Sequence, residues 1–333
     1  MDLWHSGSEG SILEVRKVAL SPNQGECTLS ISTRFAENAL VSNGYTLSLA
    51  PERLGWLVPT DPTCSLEELR EQYRAQGYLW LKGILDRASV IAFRRRYFEA
   101  FQETGLLAAG SDSADGIFSG HTEPEQRVLI HKIFVESVRW PEYEAFCSSP
   151  GIVQFYERFL GGAVHLHKRK LIRYNVPGDP RCTGAHYDLI YLRGGTDRLC
   201  SSWIPLGDTP VEAGGLVYLA GSDALGRKME AEFSAKNAHL PPEERISAYN
   251  RNMREGWLTS NLPELAERSN GKWLIADYEA GDMVVHSPYM IHAATINYDA
   301  GGHIRLSTDI RYQRKDDEID HRWDNDYYPG DML

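Results

Sequence analysis

The chain has 333 residues, of which 42% are apolar and 24% are charged. A chain of this length buries most of its apolar surface without disulfide staples, and 29 glycines and 16 prolines exclude collagen-like and disordered classes. Its net charge of −11 argues against nucleic-acid binding, because phosphate groups require clustered lysines and arginines. No apolar run approaches the ~18 residues that cross a bilayer, so we expect no membrane-spanning segment.

The cysteines indicate a reducing compartment. Five cysteines are scattered along the chain without a C-x-x-C pair, which argues against a disulfide framework and against a structural zinc site. The first residues, Met-Asp-Leu-Trp-His, lack the basic and apolar regions of a signal peptide. We therefore expect a cytoplasmic protein, and the sequence leaves its oligomeric state open.

The first half of the chain carries helix signals. Ser65 and Glu68 form a capping box ahead of an apolar stripe that ends at Gly77. The stretch 110–120 is rich in Ser, Gly and Asp, and predicts a mobile loop with few apolar anchors. Helices are predicted over residues 65–77, 86–105 and 149–161, with a short strand at 78–81.

The second half of the chain has the sequence pattern of a β-protein. Short β-like runs alternate with Gly, Pro and Asp turns, which is typical of an antiparallel sandwich or barrel. A helical insertion over about residues 242–265 interrupts them. The predicted strands lie at 164–175, 199–206, 215–219, 282–286, 291–296 and 304–312. We therefore expect one α+β unit: a helical N-terminal part over 1–162, a mainly β core over 163–315 and a tail over 316–333.

One pair of residues has metal-ligand spacing. His186 and Asp188 are two residues apart, so in a strand both side chains point to the same face. Isolated H-x-D pairs are often surface coincidences, but His286 and His292 follow in the later segment 281–292. Two imidazoles and one carboxylate on one face form the facial triad of non-haem Fe(II) oxygenases, which leaves coordination positions open.

The strand that follows His292 alternates in polarity. If its apolar residues face outward beneath the helices, Arg305 and Ser307 point inward. A buried arginine needs an anionic partner, and a guanidinium beside a hydroxyl suits the distal carboxylate of a dicarboxylate. The alternative is that Arg305 pairs with an acid of the protein itself. One face carries Ile304, Leu306, Thr308 and Ile310, and the other carries Arg305, Ser307, Asp309 and Arg311.

In this order the motifs resemble the phytanoyl-CoA dioxygenase family of Fe(II)/2-oxoglutarate-dependent oxygenases, over roughly residues 171–314. The resemblance implies a double-stranded β-helix (a jelly-roll or cupin-like barrel) flanked by helices. It also implies that His186, Asp188 and His292 bind iron. The pieces that carry it are His186-x-Asp188, Ser202-Trp203-Ile204-Pro205-Leu206, the segment 213–222, Gly281-Asp282, His286-Ser287-Pro288, His292 and Arg305-Leu306-Ser307.

The resemblance further implies which residues bind the co-substrate. Arg305 with Ser307 holds the 5-carboxylate of 2-oxoglutarate, and Trp203 lines its site, although Trp203 is equally well explained as a core residue. A polar residue on the strand before the H-x-D motif usually contributes. Lys170, Arg173 and Asn175 are the candidates, and the spacing does not decide among them; we name Arg173. The family pattern places His286 in the barrel wall rather than on the metal.

The implied activity is that of a dioxygenase. It consumes O2 and 2-oxoglutarate, releases succinate and CO2, and oxidises a small organic substrate by hydroxylation, desaturation or rearrangement. Asp188 argues against halogenation, since halogenating relatives lack this carboxylate. The alternatives are a metal-dependent hydrolase or isomerase, which leaves Arg305 without a role, and a non-catalytic binding barrel. Candidates for the substrate pocket are Tyr187, Tyr191, His131 and Trp323, with the segments 110–120 and 242–265 as covering lids.

Overall fold

The computed structural model describes residues 31–35, 40–250 and 256–333. Its helices are α1 (Ile31–Arg34), α2 (Leu66–Gln76), α3 (Arg87–Glu99), α4 (Pro124–Ser137), α5 (Pro141–Cys147), α6 (Pro150–Leu160), α7 (Leu189–Leu192), α8 (Asp223–Asn237), α9 (Pro242–Ile246) and α10 (Leu262–Ser269). Its strands are β1 (Val41–Ser42), β2 (Tyr45–Thr46), β3 (Leu54–Trp56), β4 (Tyr78–Leu81), β5 (Val164–Leu166), β6 (Leu171–Asn175), β7 (Leu199–Pro205), β8 (Leu216–Leu219), β9 (Trp273–Ile275), β10 (Met283–His286), β11 (His292–Ala294) and β12 (Arg305–Arg314).

Two sheets form the core of the fold. The larger has the order β4-β10-β7-β12-β5, with β6 also paired to β12, and the smaller has the order β11-β8-β9-β3. Trp203 and Val284 of the larger sheet share a buried cluster with Tyr218 and Ala294 of the smaller one. Because this cluster joins both sheets, their inner faces pack against each other. The predicted β-rich barrel with flanking helices is confirmed.

The alternation predicted for β12 is present. Leu306, Ile310 and Tyr312 belong to the cluster that lies between the larger sheet and the helices. Between them, Thr308 meets the hydroxyl of Tyr143 of α5 at 2.5 Å. The odd-numbered residues from Arg305 onward therefore point away from the helices, into the space between the sheets.

The N-terminal helices cover the outer face of the larger sheet. Ser65 caps α2 by accepting from the backbone of Glu68 at 3.3 Å, and the Glu68 carboxylate accepts from the backbone of Ser65 at 2.7 Å. The predicted capping box is thus present. Helix α3 ends at Glu99, six residues before the predicted end at Gly105, and a 3-10 turn follows it. No helix of the described residues is long and apolar enough to cross a membrane.

The N-terminal part also supplies strands to both sheets: the short strand predicted at 78–81 is present as β4, whereas β3 was not predicted. Strand β4 pairs with β10 in the larger sheet, and β3 pairs in parallel with β9 in the smaller one. The segment predicted as a helical insertion at 242–265 contains two separate helices in its described residues. Helix α9 ends at Ile246, where Ser247 is extended, and a separate helix, α10, begins at Leu262. The 15-residue helix α8 precedes both and was not predicted.

The segment 110–120, which was predicted to be a mobile loop, makes several polar contacts with the rest of the fold. Buried Arg94 of α3 donates to the carbonyl oxygens of Ala114 at 2.6 Å and Asp115 at 2.8 Å. Ile117 forms a backbone bridge with His303. These polar contacts add to the few apolar ones of the segment, such as Phe118, which packs against the cluster between the larger sheet and the helices.

Helix α8 lies directly on the backbone that precedes β11. A Cβ atom at Gly226 would stand 2.0 Å from the carbonyl oxygen of Tyr289. We expect Gly226→Ala to lower the free energy of unfolding by ~1–3 kcal/mol, since neither backbone can yield without repacking. Urea denaturation measures this, with the exposed Lys228→Ala of the same helix as control. Equal midpoints for the two variants would contradict so close an approach.

Candidate metal centre and adjoining cavity

Three buried side chains converge where residues 185–188 meet β11. The backbones of His186 and His292 exchange hydrogen bonds with N···O distances of 3.0 and 2.9 Å. Asp188 stands directly before α7. One ligand atom from each of the three residues lies within 4.8 Å of the other two. The structure therefore brings together the residues that were predicted as the metal site.

The two imidazoles are oriented by their own backbone. His186 Nδ1 lies 2.9 Å from the carbonyl oxygen of Gly184, and His292 Nδ1 lies 2.9 Å from that of Met290. Burial, and then the neighbouring His186 and His286, hold the pKa of His292 well below its usual value. A neutral imidazole that donates from Nδ1 keeps its lone pair on Nε2, the atom that faces Asp188.

The Asp188 carboxylate has one engaged and one free oxygen. Oδ2 lies 3.2 Å from Arg311 Nη2, whereas buried Oδ1 makes no hydrogen bond within the described part of the chain. Burial raises the pKa of this carboxyl, but Arg311 and the adjacent histidines outweigh burial and hold it well below its usual value. Oδ1 lies 3.6 and 3.7 Å from Nε2 of His186 and His292.

This donor set fits a divalent transition metal. A buried, ionised oxygen without a hydrogen bond is costly unless a cation neutralises it. Two imidazole nitrogens and one carboxylate oxygen on one side are the ligands that non-haem Fe(II) sites use. The orphaned Oδ1 of Asp188 and the two facing Nε2 atoms meet both requirements.

His286 is close to this cluster but in a different role. Its Nδ1 lies 3.2 Å from the hydroxyl of Tyr218, and its Nε2 lies 3.4 Å from Asp188 Oδ2 rather than Oδ1. It therefore contacts the carboxylate oxygen that faces away from the two predicted histidine ligands. This position agrees with the prediction that His286 packs in the wall.

We expect His286→Ala to keep a measurable metal site. Loss of a residue that only orients a ligand costs ~10–100-fold in metal affinity, whereas loss of a ligand costs more. Isothermal titration with Fe(II) under anaerobic conditions measures the difference, with His292→Ala as the comparison. A larger loss in His286→Ala than in His292→Ala would show that the two histidines have been assigned the wrong way round.

Arg305 lies deep between the sheets, where the described residues give it no acidic partner. Its Nη2 donates to Asn175 Oδ1 and its Nη1 to Ser307 Oγ at 3.4 Å, while Nε makes no hydrogen bond among the described residues. Burial, and then Arg173, lower the pKa of Arg305 to about 10, so it stays protonated at neutral pH. No carboxylate of the described chain lies within ion-pair distance, so the alternative of an internal acid finds no support there.

Arg173 and Asp309 pair beside Arg305. Arg173 Nε donates to Asp309 Oδ2 at 2.6 Å. Lys170 directly precedes β6 and points toward the helices, where its ammonium donates to Glu144 of α5 at 2.6 Å. Of the three polar candidates on this strand, Arg173 and Asn175 thus share the inner face with Arg305. Two arginines against one aspartate leave an excess positive charge that suits a carboxylate.

Trp203 is fully buried between the sheets. Its ring packs edge-on against Tyr278 with centroids 4.7 Å apart, and its Nε1 has no hydrogen-bond partner among the described residues. Its register partner on β12 is Asp309, so the indole faces the same interior as the Arg173–Asp309 pair. A buried N–H without a partner is compatible with a bound acceptor as well as with core packing.

A cavity of about 980 Å3 opens beside the metal cluster. Three of the four predicted substrate residues line it. Tyr187 does not, because it points away from its neighbours His186 and Asp188, and its hydroxyl donates to Glu230 at 2.7 Å. The prediction for Tyr187 is therefore wrong. The polar and aromatic lining includes His131, Arg173, Asn175, His186, Tyr191, Tyr249, Trp257, Arg311 and Trp323.

Two site residues were missed by sequence reasoning. Arg311 contacts the Asp188 carboxylate, and Asp309 neutralises Arg173. The alternation of β12 had already placed both on the inner face, but nothing in the sequence gave either a partner. Only the packing of β12 against residues 123 positions earlier reveals the contact of Arg311.

Comparison with known proteins identifies the family. The family model described as phytanoyl-CoA dioxygenase (PhyH) matches residues 73–303, which is more than half of the chain. The chain belongs to the phytanoyl-CoA dioxygenase family. It is thus an oxidoreductase, an Fe(II)/2-oxoglutarate-dependent dioxygenase, as its motifs predicted.

Curated relatives and solved structures agree with this membership. The chain is 26% identical over 255 residues to the 1-deoxypentalenic acid 11-beta-hydroxylase of Streptomyces arenae, covering 74% of this chain and 81% of the relative. It is 25% identical to the 1-deoxypentalenic acid 11-beta-hydroxylase of Streptomyces exfoliatus, again covering 74% of this chain and 81% of the relative. The fold resembles the epimerase SnoN in complex with Fe3+, alpha-ketoglutarate and nogalamycin RO, with TM-score 0.51, 20% identity and coverage of 82% and 94% of the two chains.

Proposed function

We propose that this dioxygenase forms a single oxygenase domain and hydroxylates a small organic substrate held in the cavity, with release of succinate and CO2. The observation that carries the proposal is the orphaned, buried Oδ1 of Asp188, which faces Nε2 of His186 and His292. We assign these three residues as the iron ligands. The names of the curated relatives, both hydroxylases, favour hydroxylation over desaturation or rearrangement.

The co-substrate is assigned to the charged interior beside the metal. Arg305 with Ser307 binds the distal carboxylate of 2-oxoglutarate, supported by Arg173 and by Trp203. Iron, when bound, would activate O2, and 2-oxoglutarate would supply two of the electrons as it is oxidised to succinate and CO2. The chain itself binds and orients both molecules, and its buried walls exclude water.

The substrate is assigned to the cavity wall next to His186. The ring of Tyr191 packs edge-on against that of His186 with centroids 5.6 Å apart, so it stands beside the metal ligands. Trp323 donates from Nε1 to the Tyr191 carbonyl oxygen at 3.2 Å, which fixes the two aromatic residues together. His131 of α4 is exposed at the rim of the cavity. Tyr191 and Trp323 thus form an aromatic wall beside the metal ligands, in a cavity whose lining also includes Arg173 and Arg311.

Anaerobic absorption spectroscopy tests the proposal. Addition of 2-oxoglutarate to the Fe(II)-loaded protein is expected to produce a weak visible metal-to-ligand charge-transfer band, and admission of O2 to yield succinate. Zn(II) in place of Fe(II) is expected to give neither. Turnover with Zn(II) and without 2-oxoglutarate would instead support a metal-dependent hydrolase or isomerase on the same three ligands.

A further inference from the structure

Arg311 is, after Arg305, a second buried arginine of β12 that has hydrogen-bond donors without a partner among the described residues. Its side chain is about 5% exposed and contacts Asp188 Oδ2 through Nη2 at 3.2 Å. Its Nε and Nη1 make no hydrogen bond among the described residues. The guanidinium also lies over the ring of Trp323, 5.0 Å from its centroid, and lines the cavity. Buried N–H donors that stay unpaired are costly, so this arrangement is typical of a binding residue.

The position of Arg311 relative to the metal ligands restricts what it can bind. Because it contacts the carboxylate of Asp188, it stands at the level of the metal, whereas Arg305 lies six residues earlier on the same inner face. At ~3.3 Å per residue their backbones are about 20 Å apart. A 2-oxo dicarboxylate chelated to the metal has one carboxylate at the metal and one directed away from it. Strand β12 has one arginine with unused hydrogen-bond donors for each of these two carboxylates: Arg311 near the metal and Arg305 farther away.

We propose that Arg311 binds the carboxylate next to the keto group of 2-oxoglutarate, at the oxygen that the metal leaves free. This inference rests on the proposed function and extends it to a residue that the family resemblance did not assign. Arg311 thereby has two contacts. Nη2 keeps Asp188 Oδ2 occupied, so that Oδ1 is the oxygen offered to the metal, and the remaining donors fix the plane of the chelating carboxylate.

A comparison of two ligands on two variants tests the proposal. 2-Oxoglutarate and 2-oxopentanoate share the oxo-acid end, but only the former has a distal carboxylate. Under anaerobic conditions at saturating Fe(II), the charge-transfer band is titrated with each ligand. Arg311→Gln is expected to weaken both ligands by a similar factor of about ten- to hundredfold, the loss of a charge-assisted hydrogen bond. Arg305→Gln is expected to weaken 2-oxoglutarate alone.

Two control variants distinguish a loss of oxo-acid binding from misfolding and from a loss of Fe(II). Arg314→Gln, on the opposite face of β12 where Arg314 pairs with Asp316 at 3.0 Å, is expected to leave both titrations unchanged. Arg311→Lys keeps a cation beside Asp188 and is expected to bind Fe(II) while still weakening both ligands, which covers the case in which Arg311→Gln loses the metal.

The outcomes that overturn the inference are distinct from failure of the proposed function. Wild-type affinity for both oxo acids in Arg311→Gln and Arg311→Lys, with only metal affinity reduced, would make Arg311 a support for Asp188 alone. A change confined to the KM of the oxidised substrate would assign its donors to that substrate. If the wild-type protein gave no band with either ligand, the proposed function itself would fail, and the inference with it.

Discussion

Replacing His186 with alanine is expected to lower Fe(II) affinity more than hundredfold and to abolish turnover while the protein stays folded. The metal loses one of three ligands, which exceeds the ~10–100-fold cost of an orienting residue. Among the described residues the His186 side chain makes one hydrogen bond, to the carbonyl oxygen of Gly184, so its removal leaves no buried charge unpaired there. Anaerobic titration calorimetry measures the affinity, and circular dichroism measures the fold.

Asp188 requires a more conservative substitution than alanine. Asp188→Ala would leave Arg311 buried beside an empty space, and removing one partner of a buried ion pair costs ~3–5 kcal/mol. Asp188→Asn keeps the shape of the side chain and removes the charge, and we expect it to lose Fe(II) and turnover with the fold retained. Wild-type Fe(II) affinity in either His186→Ala or Asp188→Asn would contradict the assignment of the triad.

Arg305→Gln is expected to raise the concentration of 2-oxoglutarate required for turnover by two to four decades. Loss of one member of a buried charge pair costs ~3–5 kcal/mol, and each decade in affinity corresponds to ~1.4 kcal/mol. The KM of the oxidised substrate is expected to change far less, because Arg305 does not line the cavity. Steady-state kinetics with each substrate varied in turn separates the two effects.

Thermal denaturation gives an independent measure of the same variant. Arg305 has no acidic partner among the described residues, so Arg305→Gln removes an unpaired buried cation and should not destabilise the ligand-free protein. The stabilisation that 2-oxoglutarate confers on the Mn(II)-loaded wild type should disappear. A ligand-free variant that melts well below the wild type, with an unchanged response to 2-oxoglutarate, would mean that Arg305 has a structural role only.

Local periodicity made part of the site predictable. The inward direction of Arg305 and Ser307 followed from the period of two that every strand imposes. The same rule applied to residues 186–188 would have excluded Tyr187, since its two neighbours both point to the metal. The capping box at Ser65 is equally local, and it was predicted correctly for the same reason.

Contacts between distant segments were not predictable. The pairing of Arg311 with Asp188, and of Arg94 with the loop at 114–115, depends on how strands and helices pack, which no local pattern encodes. Helix α8 was missed although, apart from Gly226, most of its residues are good helix formers. The structure shows the reason for that glycine, which is the close approach of the Tyr289 carbonyl oxygen.

Anomalous diffraction at the iron absorption edge tests the central claim most directly. Crystals grown anaerobically with Fe(II) and 2-oxoglutarate are expected to show a single strong peak within bonding distance of Nε2 of His186, Oδ1 of Asp188 and Nε2 of His292, with the distal carboxylate of 2-oxoglutarate on Arg305. Iron bound through His286 in place of His292, or a co-substrate that does not contact Arg305, would contradict the account.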